Sequence, residues 1–134
     1  MAVAPLRAPD VIMVVEDDPD TRLAIGEYLK TIFPDARILM SESGEAGLEL
    51  ARRTRPRVIV LDIRLRGIGG FEFADRLRGE QDGDGVAIVA LTGDMSPDTL
   101  MRAEAAGFKA FLRKAPLYGL RLSRSRDRGR KVAL

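Results

Sequence analysis

Residues 11–18 read Val11-Ile12-Met13-Val14-Val15-Glu16-Asp17-Asp18, an apolar run that ends abruptly in three acids. Five consecutive apolar residues suit a strand buried on both faces, as in the middle of a parallel sheet. Asp18-Pro19 then supplies a helix N-cap followed by proline at the first helical position. The next helix carries Leu23, Ile25, Leu29 and Ile32, and the spacing predicts that it ends before Pro34.

Outward from this stretch the same alternation repeats. Arg37 to Ser41 reads as a second strand, and Ser43 caps a helix with Ala46, Leu48 and Leu50 on its apolar side. That helix is expected to stop before Pro56. Val58 to Leu61 forms a third strand ending at Asp62. A glycine-rich loop, Arg66-Gly67-Ile68-Gly69-Gly70, leads into a helix bearing Phe71, Phe73, Ala74 and Leu77. After a polar loop over 79–85, Val86 to Leu91 is the fourth strand. Ser96-Pro97-Asp98 opens a helix that Gly107 closes, and Lys109 to Leu112 is a short fifth strand. Strands alternating with helices imply a doubly wound α/β fold with a parallel sheet covered on both faces.

The residues at the ends of the apolar runs carry the chemistry. Run one ends in Glu16-Asp17-Asp18, run three in Asp62 and run four in Thr92-Gly93, while Lys114 comes just after run five. In a parallel α/β sheet these ends meet at one edge, where ligands bind. Clustered carboxylates repel one another unless a cation sits among them. Oxygen-only ligands with open positions suit Mg²⁺, which binds through one or two carboxylates plus phosphate oxygens. Such an ion would neutralise Asp62 and an incoming phosphoryl group, making carboxylate attack on phosphorus feasible. Thr92 and Lys114 have the donors to hold the remaining phosphoryl oxygens. Taken singly, each feature has a plainer reading. The acidic triplet is also a solvated turn with Asp18 as cap, Thr92 a strand terminus, and Phe111 a core aromatic.

In order and at matching separations, VIMVVEDDPDTR, VIVLDIRLRGIGGFE, VAIVALTG and KAFLRKAP resemble the CheY-like receiver domains of two-component response regulators, from about Val11 to Pro116. The resemblance implies a five-stranded flavodoxin/CheY-like sheet in the order 2-1-3-4-5. It makes Asp62 the phosphoacceptor, Asp17 a direct Mg²⁺ ligand, Glu16 a ligand through water and the Arg64 backbone carbonyl a further contributor. Thr92 and Lys114 would read the phosphoryl group, and Phe111 would be the switch aromatic. The implied partners are a sensor histidine kinase or phosphotransfer protein upstream and a downstream protein target, met through the surface around helix 4, strand 5 and helix 5. The protein itself is then a phosphoacceptor and not an enzyme.

Two departures stand out. The family places proline directly after the lysine, whereas the order here is Lys114-Ala115-Pro116, which leaves the aim of Lys114 open. The family's fifth helix has a poor counterpart in LYGLRLSRSRDRGRKVAL, where Gly119, Gly129 and an Arg/Ser run work against a long amphipathic helix. The expected organisation is therefore an N-terminal extension over 1–9, a receiver domain over 10–116 and a basic tail over 117–134. The fifth helix would be short or missing and the tail partly disordered. Apolar surface beside strand 5 would then be uncovered, inviting self-association.

Composition narrows the field. Without cysteine there is no disulfide or thiol nucleophile, and without histidine no Ser-His-Asp triad, His-ligated zinc or phosphohistidine. From Leu117 onward six basic residues face one acidic residue, leaving 16 basic and 19 acidic residues before it, a net of −3 within the overall +2. That tail can add salt-sensitive phosphate contacts, but no aromatic interleaving or helix-turn-helix accompanies it, so no specific nucleic-acid partner is expected. No apolar run reaches the ~18–20 residues of a membrane span, and the start lacks a signal-peptide core, so a cytoplasmic location without membrane attachment is expected. No P-loop occurs. Three rivals are weighed. A pseudo-receiver would bind proteins without being phosphorylated. A flavodoxin-like cofactor site is opposed by the acids after strand 1. An aspartyl-phosphate hydrolase would need a second carboxylate where Arg64 stands.

Overall fold

The computed structural model describes residues 10–80 and 85–114, together with the backbone of 121–124 and 131–133. The opening apolar run becomes β1 (Val11–Val15), and the two-residue strand period splits its side chains between two cores. Ile12 and Val14 pack with Ile25 and Leu29 of α1 (Pro19–Ile32). Met13 and Val15 pack on the opposite face, with Leu48 and Ala51 of α2 (Gly44–Thr54) and Phe73, Ala74 and Leu77 of α3 (Gly70–Glu80). A run apolar at every position is what a strand with helices on both sides requires.

β1 pairs in parallel with β2 (Arg37–Ser41) on one side and β3 (Val58–Asp62) on the other. β4 (Ala87–Thr92) and β5 (Ala110–Arg113) continue the parallel sheet, giving the expected order 2-1-3-4-5. α4 (Pro97–Ala105) connects β4 to β5 and contributes Ala103 to the same core as Phe73, Phe108 and Phe111. The helix starts obey their caps: Asp18, Ser43 and Ser96 each accept a hydrogen bond from the backbone N–H three residues on. Gly107 closes α4 at φ +85°, a conformation that suits glycine.

Two apolar side chains do not go where helical spacing put them: Leu23 is 54% exposed, and Ala46 is exposed on α2. Small and glycine positions do the packing instead, with Gly26 on α1 and Gly44 and Gly47 on α2 all buried.

The larger correction concerns the tail. The sheet has seven strands, because β6 (Arg121–Arg124) pairs antiparallel with β5, and β7 (Lys131–Ala133) pairs antiparallel with β6. The expectation for 117–134 is a short or missing helix and a partly disordered tail; 121–124 and 131–133 are strands instead, and the rest of that range lies outside the described residues. The outer edge of β5 presents unpaired backbone donors and acceptors, and a strand satisfies them where a helix would not. Ala110, Phe111 and Leu112 of β5 are all buried. No fifth helix occurs among the described residues. The N-terminal extension over 1–9 and the bond between Lys114 and Ala115 lie outside them.

Candidate functional site: an acidic pocket at the sheet edge

The C-terminal ends of β1, β3, β4 and β5 place Glu16, Asp62, Thr92 and Lys114 side by side. Registers fix this: Val15 lies opposite Leu61, Asp62 opposite Leu91, and Thr92 opposite Arg113. Glu16 and Asp62 are buried, 0% and 3% exposed, while Asp17 is half-buried. One carboxylate oxygen from each of Glu16, Asp17 and Asp62 falls within 4.8 Å of the others.

Lys114 closes this group. Its Nζ donates to Asp62 Oδ2 at 3.0 Å and lies 2.6 Å from Glu16 Oε1. Lys114 therefore reaches both buried carboxylates. The Lys114 backbone N–H donates to the Thr92 carbonyl, tying the end of β5 to that of β4. Among the described residues, Glu16 Oε1 is completely buried and has no partner but the Lys114 ammonium, 2.6 Å away.

Burial pushes the Glu16 carboxyl up to about 7, and hydrogen bonding and repulsion with Asp62 and Asp17 add to the rise against the pull of Lys114. Burial pulls the Lys114 ammonium down, but Glu16 and Asp62 outweigh it and its pKa is raised. Both partners shift upward because the lysine meets two carboxylates, whereas Glu16 is buried and meets two acids beside its one ammonium.

This is the setting of a cation site. A buried oxygen lacking an aligned donor, beside two further carboxylates, gives an all-oxygen donor set that fits a hard divalent cation. The backbone of Arg64 lies at the same place, its N–H donating to Asp62 Oδ1 at 2.9 Å. Asp17 meets Arg66 at 3.6 Å, a solvent-exposed pair of little energy. Asp18 turns away as anticipated: its Oδ2 accepts from both the N–H and the hydroxyl of Thr21, which holds its carboxyl below the usual range.

Thr92 is buried at 3% exposure, and its hydroxyl is engaged locally. Oγ1 donates to the Asp94 carbonyl at 3.0 Å and accepts from the Asp94 N–H at 2.9 Å. Phe111 is packed in the core with Phe73, Phe108 and Ala103. Two contributors escaped the sequence reading. Asp94 organises the turn after β4, and the signal available was an aspartate just ahead of the Ser96-Pro97 helix start. Glu45 accepts from the Ile68 N–H at 2.9 Å and pins the loop after Asp62 to α2, at Gly67 with φ +75°. No local pattern announces it, since Glu45 and Ile68 are 23 residues apart.

Comparison with known proteins agrees with this arrangement. Residues 12–117 match the response regulator receiver domain. Response regulator GacA of Pseudomonas viridiflava is 34% identical over 98 residues, covering 72% of this chain and 46% of that protein. The chain thus spans about half the length of that relative. Among solved structures, chemotaxis protein CheY4 of Vibrio cholerae superposes with a TM-score of 0.72 at 24% identity, covering 81% of this chain and 88% of that one. The Mn²⁺-bound form of response regulator Rcp1 superposes with a TM-score of 0.70 at 24% identity, covering 81% and 83%. Parallel-sheet topology with acids, a hydroxyl and a lysine gathered at the strand ends defines a receiver module of two-component signalling. The chain belongs to the response regulator receiver domain family. No described helix is long and apolar enough to cross a membrane.

Proposed function

We propose that Asp62 accepts a phosphoryl group in a reaction that needs Mg²⁺ held by Glu16, Asp17, Asp62 and the Arg64 carbonyl. The observation that carries this reading is the position of Asp62, buried between the Lys114 ammonium at 3.0 Å and the two other acids of the pocket. Mn²⁺ in the structure of Rcp1 supports the choice of a hard divalent ion. When bound, the ion supplies positive charge for the carboxylates and for the oxygens of the incoming phosphoryl group.

The chain's own groups do the rest. An Asp62 oxygen forms the new O–P bond as the bond from phosphorus to the donor breaks, the donor leaving with that electron pair. Lys114, already at Asp62, pairs with a phosphoryl oxygen, and Thr92 donates its hydroxyl hydrogen to another. The donor is a sensor histidine kinase or phosphotransfer protein, and the signal passes to a downstream protein with Phe111 as the switch aromatic. The protein acts as a phosphoacceptor and not as an enzyme turning over a separate substrate.

The test is intact mass after incubation with Mg²⁺ and acetyl phosphate. A Mg²⁺-dependent gain of one phosphoryl mass, absent in Asp62→Asn, is expected. A folded wild type that binds Mg²⁺ yet gains nothing would overturn this reading in favour of a module that binds proteins without phosphorylation.

A further inference from the structure

The Thr92 hydroxyl has one hydrogen, and the Asp94 carbonyl holds it. The geometry of that turn is fixed from beyond Thr92. Asp94 Oδ1 accepts from the Ser96 N–H at 2.9 Å, and Oδ2 accepts from the Thr99 hydroxyl at 2.7 Å. Ser96 and Thr99 form the first turn of α4, where the Thr99 N–H also points to Ser96 Oγ and the Leu100 N–H donates to the Ser96 carbonyl. Arg64, whose N–H already binds Asp62, reaches Asp94 Oδ2 with its guanidinium at 3.4 Å. The Asp94 carboxyl lies below the usual range, first because of the Thr99 hydroxyl and then the Ser96 N–H.

We propose that Asp94 is a positioning residue that holds the Thr92 hydroxyl in the unphosphorylated state and ties its release to the first turn of α4. This rests on Asp62 being the phosphoacceptor, since only a phosphoryl group gives the hydroxyl a better acceptor. The Asp94 carboxylate, bonded to Ser96 and Thr99, fixes the turn whose backbone N–H and carbonyl hold the Thr92 hydroxyl, so freeing that hydroxyl lets the residue that starts α4 move. The phosphoryl dianion also competes with Asp94 for the Arg64 guanidinium. That pair is exposed and weak, so it adds direction to the release more than it resists it. Asp94 touches no reacting atom; it acts through Thr92.

The first arm of the test needs no phosphorylation. Amide hydrogen exchange at Thr99 and Leu100 is measured in wild type, Thr92→Ala, Asp94→Ala and the double variant. Loss of one such hydrogen bond is expected to speed exchange there about fivefold in either single variant, with no further gain in the double. The second arm is the acetyl phosphate rate, expected to rise severalfold in Asp94→Ala and to be unaffected by Asp94→Ala in a Thr92→Ala background. Asp94→Asn, which keeps one acceptor oxygen but puts an NH2 donor in place of the other, should restore wild-type exchange only in part. Additive effects of the two substitutions on exchange would overturn the coupling, whatever the phosphorylation result. If no variant and no wild type is phosphorylated at Asp62, the function reading fails, and the holding role with it, while the exchange arm still reads the structural link.

Discussion

Glu16 shows how much of the site is decided by single side chains. Its carboxylate sits fully buried beside two acids and one ammonium, and its pKa is raised from 4.5 to about 7. Because the folded value lies above the unfolded one, the native state binds more protons than the unfolded chain between the two. Stability in the presence of a chelator is therefore expected to fall as pH rises from about 4.5 to about 7, by something on the order of 1–3 kcal/mol. Urea midpoints across that range would show it, and Glu16→Gln should flatten the slope. Millimolar Mg²⁺ should flatten it as well, since a bound cation favours the ionised carboxylate that burial and the neighbouring acids disfavour. A wild-type profile flat without metal would mean that Lys114 alone compensates both acids. At this scale the sequence was generous: each of Glu16, Asp17, Asp62, Thr92 and Lys114 ends an apolar run or comes closely after one, so topology alone gathers them. Glu45 was hidden because its partner is a backbone N–H 23 residues away, and Asp94 left only an aspartate ahead of a helix start as its signal.

Among the elements, the junction from β3 to α3 constrains the backbone at Asp62 closely. Gly70, the first residue of α3, donates its N–H to the Ile63 carbonyl. A Cβ built on it would lie 2.7 Å from the Asp62 carbonyl oxygen and 2.8 Å from Ile63 Cα, both backbone atoms unable to swing aside. Gly70→Ala is thus expected to cost about 1–3 kcal/mol and to shift the loop that carries Arg64. A lowered thermal midpoint together with weakened Mg²⁺ binding by titration would bear this out. Gly79→Ala is the control, since a Cβ there meets nothing within 4 Å. The glycines of this loop look from sequence like a flexible turn, whereas Gly70 is needed for close approach. The strands were legible from their apolar runs, and the starts of α1, α2 and α4 from their cap residues, with proline added at α1 and α4. Which face of α1 and α2 packs was less so, since Gly26, Gly44 and Gly47 lie at the close contacts and glycine carries no hydrophobic signal.

For the whole molecule, the part that resisted reading is the far edge of the sheet. Arg121–Arg124 and Lys131–Ala133 are too short and too basic to announce strands; β6 exists as a strand because β5 offers it an edge, and β7 because β6 does. Composition warned that no long helix would come next; it held no information on what would take its place, since pairing is a property of the partner strand. The consequence is testable by ending the chain after residue 120. Three register pairs join β5 to β6, at Ala110, Phe111 and Leu112, and removing them leaves the outer backbone of β5 unpaired. With each backbone hydrogen bond worth roughly 0.5–1.5 kcal/mol net, the loss should be on the order of 2–3 kcal/mol. The truncated chain should also self-associate with rising concentration, because an open edge next to buried Phe111 and Leu112 is a template for pairing. Sedimentation velocity and urea unfolding, compared with the full chain, read both effects. A shortened chain that stayed monomeric with an unchanged midpoint would mean that the hairpin only rests on the sheet, and that β5 is held by β4 and its buried side chains alone.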